Sequence, residues 1–132
     1  MRLKHYDRVL AEVNLVSSQY GVVDFTDNMI EVESFGLPHG FNYDYCRLLI
    51  ALSKDYPESP PKDMYLEKGL KKGRCRPEHY HPSMFGERRI RKRGYAWYCI
   101  HFKSWNPSSA SMIRGDNLLI AIGVLYDALK YD

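Results

Sequence analysis

Tyr56-Pro57-Glu58-Ser59-Pro60-Pro61 is the stretch that says most about the fold of this chain. Its three prolines have no backbone N–H to donate, and each one restricts the preceding residue to extended conformations. The stretch therefore cannot lie inside a helix or in the middle of a sheet. It predicts a rigid, extended turn that separates two regular elements.

The residues before this turn alternate between apolar and polar with a period of two, which is typical of strands with one solvent-exposed face. Val23 and Phe25 precede the turn residues Asp27-Asn28, and Ile30 and Val32 follow them. This pattern predicts a β-hairpin.

A longer apolar segment runs from Tyr43 to Leu52 and predicts the central strand of a sheet. Its even-numbered residues, among them Cys46 and Leu48, are expected on one face, with Tyr45 and Leu49 on the other. A short strand from Asp63 to Leu66 follows the proline turn, and Tyr95 to Phe102 is a strand or an extended segment. The first four strands are predicted to form a four-stranded antiparallel meander.

A helix is expected on either side of the strands. Apolar residues recur with 3, 4 and 7 spacing near the start of the chain, and Gly21 is expected to end that helix. Asp116 is the expected N-cap of a second, final helix. The apolar stripes are Tyr6, Val9, Leu10, Val13 and Val16 in the first helix, and Leu118, Leu119, Ile122, Leu125, Tyr126 and Leu129 in the last.

The bulk properties predict one α+β domain over residues 1–132. A length of 132 residues is usual for one domain, and 45% hydrophobic content is enough for a core without disulfides. No apolar run approaches the roughly 20 residues that span a bilayer. The segment Met1 to Asp7 lacks the apolar region of a secretory signal. A cytoplasmic protein without a membrane partner is therefore expected.

The order of helix, meander, proline turn, irregular loop, cysteine segment and helix resembles the ubiquitin-conjugating enzymes. In that family a Tyr-Pro-x-x-Pro-Pro turn follows the third strand, and then come a His-Pro-Asn motif, a catalytic cysteine and a Trp-x-Pro element. The matching residues here are the turn at 56–61, His81-Pro82-Ser83, Cys99 and Trp105-Asn106-Pro107. The resemblance covers nearly the whole chain and implies a UBC-like fold.

The chain departs from the family pattern around its candidate active site. Ser83 stands where the family has the asparagine that stabilises the oxyanion of the attacked thioester. Ser83 and Cys99 lie 16 positions apart, about twice the usual gap, with the basic segment Glu87 to Gly94 between them. These traits resemble the divergent prokaryotic conjugating-enzyme-like proteins, and that resemblance extends the expectation to bacterial antiphage defence.

Cys99 is the candidate nucleophile. A period of two places Cys99 and His101 together on the less apolar face of their segment. The thiolate is the reactive form of cysteine, and a nearby His⁺, Lys or Arg lowers the thiol pKa from about 8.5. The alternative is that Cys99 is a small core residue, because free cysteines are often buried.

Three more side chains have roles that the resemblance implies. His81 is expected to brace the loop beside the cysteine, although it is equally consistent with a simple turn. Ser83 or Asn106 is expected to donate to the oxyanion, a contribution whose loss costs enzymes about 10²–10³ in rate. Five residues of zinc-ligand type lack paired Cys-x₂-Cys spacing, so no metal is predicted: Cys75, His79, His81, Cys99 and His101.

Positive charge is concentrated in the second half of the chain. Residues 61–132 hold 14 Lys and Arg against 7 Asp and Glu, whereas residues 1–60 hold 5 against 9. Such a field attracts an acidic partner or a phosphate backbone. Docking to the activating enzyme or the modifier is predicted, with a plain solvated loop as the alternative. Nucleic acid is not the predicted partner, because the sequence contains no recognised nucleic-acid-binding module. The predicted docking residues are Arg88, Arg89, Arg91, Lys92, Arg93 and Trp105.

Together the residues and the resemblance predict an enzyme. Cys99 accepts a ubiquitin-like modifier as a thioester from an activating enzyme and passes it to an amine of a protein or other acceptor. This chemistry needs no cofactor. The alternative is an inactive module of the same fold that holds the modifier or its activating enzyme.

Overall fold

The computed structural model describes residues 4–132. The first three residues lie outside the described range. They belong to the segment Met1 to Asp7, whose sequence predicts that it is not a secretory signal. The described part is an α+β fold, as predicted. Its elements are α1 Tyr6–Tyr20, β1 Val23–Thr26, β2 Met29–Gly36, β3 Tyr45–Ala51, β4 Asp63–Glu67, β5 Tyr80–His81, α2 Arg88–Arg91, β6 Tyr95–Tyr98 and α3 Leu118–Tyr131.

The strands form one antiparallel sheet in the order β1-β2-β3-β4-β6-β5. The predicted meander of β1 to β4 is present, but the predicted count of four strands is wrong. A meander ending at β4 would leave a row of unpaired backbone groups along that strand. β6 pairs with this edge, and the two-residue β5 pairs with β6 in turn.

The hairpin between β1 and β2 forms where it was predicted. Asp27 and Asn28 have φ angles of 54° and 61°. Two successive residues in the left-handed region are typical of the type I′ turn, whose twist matches that of the strands it joins.

The sheet has an apolar cluster on each face. Cys46, Leu48 and Ile50 of β3 belong to the larger cluster, which contains the buried residues of α1 and α3. Leu49 and Ala51 point to the opposite face and join a smaller cluster. β3 is therefore buried on both sides, as its continuous apolar sequence predicts.

Helix α1 lies on the larger cluster with Val9, Val13 and Val16 buried, and Gly21 with φ of 85° ends it. Leu10 and Tyr6, which were also predicted to lie on the apolar stripe, are 41% and 37% exposed. The position that faces the core instead is Glu12, which is fully buried.

Asn117, rather than the predicted Asp116, is the N-cap of α3. Its side-chain oxygen accepts a hydrogen bond from the N–H of Ile120 at 3.0 Å. The Asp116 carboxylate does not cap the helix, because it accepts a hydrogen bond from the N–H of Asn106 at 2.6 Å instead. None of the helices in residues 4–132 has both the length and the apolar character needed to cross a bilayer.

The segment that was expected to be an irregular basic loop covers the smaller cluster. It contains the single-turn helix α2, whose Ile90 is 1% exposed and packs with residues of β3, β4 and β6. Gly86 has φ of 68°, and a Cβ at this position would lie 2.7 Å from the Tyr65 ring. The chain therefore passes close over the sheet here, and residues 82–94 form a basic cap on this face.

Candidate active site around Cys99

Cys99 is the residue directly after β6. Its N–H donates to the carbonyl oxygen of His79 at 2.8 Å, and its side chain is half-buried. Its Sγ lies 3.4 Å from Nε2 of the exposed His101. The predicted proximity of Cys99 and His101 is therefore confirmed, and the thiol is within reach of a group that can accept its proton.

Asp132 holds the residue that pairs with Cys99 and the side chain of the residue that precedes Cys99. Its carboxylate accepts from the backbone N–H of His79 at 3.2 Å and from the Tyr98 hydroxyl at 2.9 Å, and lies 2.8 Å from Nδ1 of His79. The Asp132 side chain is 1% exposed. Sequence reasoning missed this residue, because a single Asp after an amphipathic helix carries no signal of strand partners 34 and 53 positions away.

The surroundings determine the protonation of this network. Burial by itself raises the pKa of the Asp132 carboxyl, but the hydrogen bonds from His79 and Tyr98 outweigh burial and leave that pKa below its ordinary value. Burial, followed by the hydrogen bond to Asp132, raises the pKa of the Tyr98 hydroxyl. At neutral pH Asp132 is thus a carboxylate and Tyr98 a neutral donor.

The strand register places His79, not His81, opposite Cys99. Tyr80 pairs with Tyr98 and His81 with Trp97, so the register continues to His79 and Cys99. The His81 ring packs edge-on against the Phe85 ring, with 5.0 Å between the ring centroids. It also packs at a tilt against Trp97, with 5.7 Å between the centroids. His81 therefore stabilises the start of the basic cap.

Ser83 lies further along the chain, in the direction that leads away from Cys99. In the described residues no hydrogen bond joins Ser83 to Cys99. Ser83 instead lines an open groove of about 420 Å³, called here the basic groove. The residues that line this groove are Lys68, Pro82, Ser83, Arg88, Arg91 and Lys92.

Asn106 lies in the long loop between β6 and α3, and its backbone is held in both directions by Asp116. The Asn106 N–H donates to the Asp116 carboxylate at 2.6 Å, and the Asp116 N–H donates back to the Asn106 carbonyl at 3.0 Å. The Asn106 side chain is exposed and makes no hydrogen bond within residues 4–132. Its amide is free to donate to a ligand.

Trp105, a predicted docking residue, connects this loop to the proline turn. Its ring N–H donates to the Pro57 carbonyl at 2.7 Å. The ring is half-buried and packs against Tyr56 and Phe102 at centroid distances of 6.0 and 5.5 Å. The proline turn and the Trp-Asn-Pro element are therefore neighbours in space.

Glu12 joins the same region to both helices. One carboxylate oxygen accepts from the Tyr56 hydroxyl at 2.6 Å and from the N–H of Leu118 at 2.7 Å, and the other accepts from Nε of Arg8 at 2.7 Å. Arg8 also donates to the Ser108 carbonyl at 2.7 Å. A buried carboxylate thus links α1, the proline turn and the first residue of α3.

The five residues of zinc-ligand type do not assemble into one site. Among the described residues, the His, Cys and acidic ligand atoms that meet in a group of three belong to Glu78, His79 and Asp132. His79 and Asp132 already bond each other there. Cys75 is exposed, so it is a second accessible thiol besides Cys99.

The basic run divides into paired and unpaired cations. Arg93 pairs with Glu31 at 3.2 Å, and Arg89 lies 3.4 Å from Glu87. Arg88 and Lys92 are exposed, and no carboxylate of residues 4–132 lies within 4.0 Å of either.

Comparison of the chain with protein-family models, with curated proteins and with solved structures gives no significant match.

Proposed function

We propose that this protein is a cysteine-dependent acyl transferase that conjugates a ubiquitin-like modifier. The observation that carries the proposal is the accessible Cys99 thiol at 3.4 Å from the His101 imidazole. The order of helix, meander, proline turn, cysteine and Trp-Asn-Pro turn supports the resemblance to ubiquitin-conjugating enzymes. The partners would be the modifier, its activating enzyme and an amine acceptor, in the cytoplasm of a bacterium and in antiphage defence.

The proposed reaction is two acyl transfers at one sulfur. His101 accepts the Cys99 proton, and the thiolate attacks the thioester carbonyl of the charged activating enzyme. A new C–S bond forms at Cys99, and the thiol of the activating enzyme leaves with a proton. An acceptor amine then attacks the Cys99 thioester, so that a C–N bond forms, the C–S bond breaks and Cys99 regains a proton.

Charge develops on the carbonyl oxygen in both steps, so a donor near Cys99 would accelerate them. The Asn106 side-chain amide makes no hydrogen bond within residues 4–132, and Asp116 holds the Asn106 backbone through two hydrogen bonds. Asn106 is therefore a better candidate for this donor than Ser83. Ser83 lines the basic groove, and His81 is engaged by Phe85 and Trp97. Within this proposal His79 and Asp132 position the cysteine.

The test uses a short peptide ending in Gly-Gly as an alkyl thioester, with peptide mapping by mass spectrometry. We expect Cys99 to be acylated faster than Cys75 and the acyl group to pass to added lysine. His101→Gln should slow acylation by about tenfold or more, because glutamine cannot accept the proton. Cys75→Ser is the matched control and should leave acylation of Cys99 unchanged.

The same experiment can also contradict the proposed enzyme. Acylation of Cys99→Ser at the wild-type rate, or equal rates at both thiols with no effect of His101→Gln, contradicts the proposed transferase activity. That result favours the second candidate, an inactive module that binds the modifier or its activating enzyme. The observation that favours this module is the position of Ser83, which the register directs away from Cys99.

A further inference from the structure

The basic groove has a chemistry that acyl transfer at Cys99 does not use. It lies between α2, the residue that follows β4 and the Pro82-Ser83 turn. A volume of about 420 Å³ is within the range of small-molecule sites, roughly 300–1,000 Å³. Four of its six lining residues are cationic: Lys68, Arg88, Arg91 and Lys92.

The positive charge of the groove is not neutralised by the protein. In residues 4–132, no carboxylate lies within 4.0 Å of Lys68, Arg88 or Lys92. Arg91 donates through Nη1 to the carbonyls of Phe85 and Gly86 at 2.5 and 3.0 Å, and these bonds hold its guanidinium in place without cancelling its charge. The neighbouring Arg89 and Arg93, by contrast, each have a glutamate partner.

Like charges that surround one groove repel each other, and a bound anion relieves that repulsion. A ligand with a single negative charge binds weakly at an exposed site, because salt screens the attraction. A compact ligand with several negative charges binds more tightly. Guanidinium groups match the paired oxygens of phosphate, and the Ser83 hydroxyl adds a neutral donor.

We infer that the basic groove binds a diphosphate group, either free or as part of a nucleoside diphosphate. Four cations around one hydroxyl fit a ligand with two adjacent phosphates better than a single carboxylate. This inference is independent of the proposed acyl transfer, because among the described residues no hydrogen bond joins a groove cation to Cys99 or His101.

The experiment is a calorimetric titration of the whole chain with sodium pyrophosphate at low salt. We expect saturable binding that weakens as the salt concentration rises. Arg88→Gln with Lys92→Gln should weaken binding about tenfold or more, since two charge-assisted contacts are lost. Ser83→Ala, which keeps every charge, should weaken binding a few-fold, by about the worth of one neutral hydrogen bond.

The matched control is Lys103→Gln with Arg114→Gln, which removes two exposed charges that lie outside the groove. This control should bind pyrophosphate as the wild type does. All four substituted side chains are exposed, so thermal unfolding should be unchanged in both double variants.

The inference is overturned by absence of pyrophosphate binding, by equal weakening in the two double variants, or by equally strong competition by polyglutamate. Binding of a thymidine oligonucleotide that pyrophosphate cannot displace also overturns it in favour of nucleic acid. Tighter binding of ADP than of pyrophosphate supports the nucleotide as the source of the diphosphate, and equal binding supports the free group.

Discussion

At the scale of single residues, the Asp132 carboxylate joins the residue opposite Cys99 to the residue that precedes Cys99. It accepts from His79, whose carbonyl receives the Cys99 N–H, and from Tyr98, which precedes Cys99. Cys46 shows the opposite environment for a thiol. It is 4% exposed, and burial raises its pKa to about 12, so it is not a nucleophile at neutral pH.

The lowered pKa of Asp132 predicts a pH-dependent contribution to stability. A carboxyl whose folded-state pKa lies below its ordinary value of 3.8 stabilises the fold above that pH. The contribution is lost as the pH falls through the folded-state pKa. Asp132→Asn should therefore lower the free energy of unfolding by about 1–3 kcal/mol at pH 7.

Urea unfolding at pH 7 and at successively lower pH checks this prediction. The difference between wild type and Asp132→Asn should shrink below pH 3.8. Asp127→Asn is the control, because Asp127 is exposed on α3 and no described residue hydrogen-bonds to its side chain. A difference between wild type and Asp132→Asn that is constant with pH would contradict the assignment.

At the scale of elements, two hydrogen bonds to Glu12 join α1 to the proline turn and to α3, and a third comes from Arg8 within α1. Burying a carboxylate is costly unless its oxygens are paired, and here both oxygens are. Its neighbour Tyr56 is also buried, and this burial, with the nearby Glu12, raises the pKa of the Tyr56 hydroxyl. Tyr56 is therefore a neutral donor, and the proline turn has a fixed place on α1.

Glu12→Ala should destabilise the protein by about 3–5 kcal/mol, because Arg8, Tyr56 and the N–H of Leu118 lose their acceptor. Glu12→Gln keeps one acceptor oxygen and should lower the free energy of unfolding by less than Glu12→Ala does. Chemical unfolding measures both, with the exposed Glu33→Ala as a control that should change stability by about 0.5 kcal/mol or less. Equal stabilities of Glu12→Ala and Glu33→Ala would show that the buried network does not stabilise the fold.

At the scale of the whole molecule, one sheet supports two different faces. The helices α1 and α3 cover the larger cluster, and the basic cap covers the smaller one through Ile90. The two tryptophans report on these faces separately. Trp97 packs against the smaller cluster and Trp105 against the larger one.

Because β3 contributes to both clusters, we expect the two faces to unfold together. Trp97→Phe leaves Trp105 as the only fluorescent indole, and Trp105→Phe leaves Trp97. Each variant should show one urea transition that coincides with its own transition by circular dichroism. An earlier transition of the Trp97 signal would show that the basic cap opens independently of the helices.

Local patterns predicted a large part of this fold. The Asp27-Asn28 turn, the alternation in β3 and the proline turn depend on residues close in sequence, whose backbone preferences act before any tertiary contact. The strand β6 and the closeness of Cys99 to His101 also follow from a period of two. The extra pairing of β5 was not predictable, because two residues carry no periodicity.

What the sequence by itself determined is the α+β class, the meander, the positions of the two long helices and the candidate thiol. Only the tertiary structure decided that His79 rather than His81 lies opposite Cys99, that Glu12 is buried and that Ser83 faces unpaired cations. The physical reason is that register joins His79 to Cys99, 20 positions apart, and burial joins Glu12 to Leu118, 106 positions apart. The groove likewise forms only when the residue after β4 meets residues 82–92 in the folded chain. Such contacts depend on packing, which no local preference encodes.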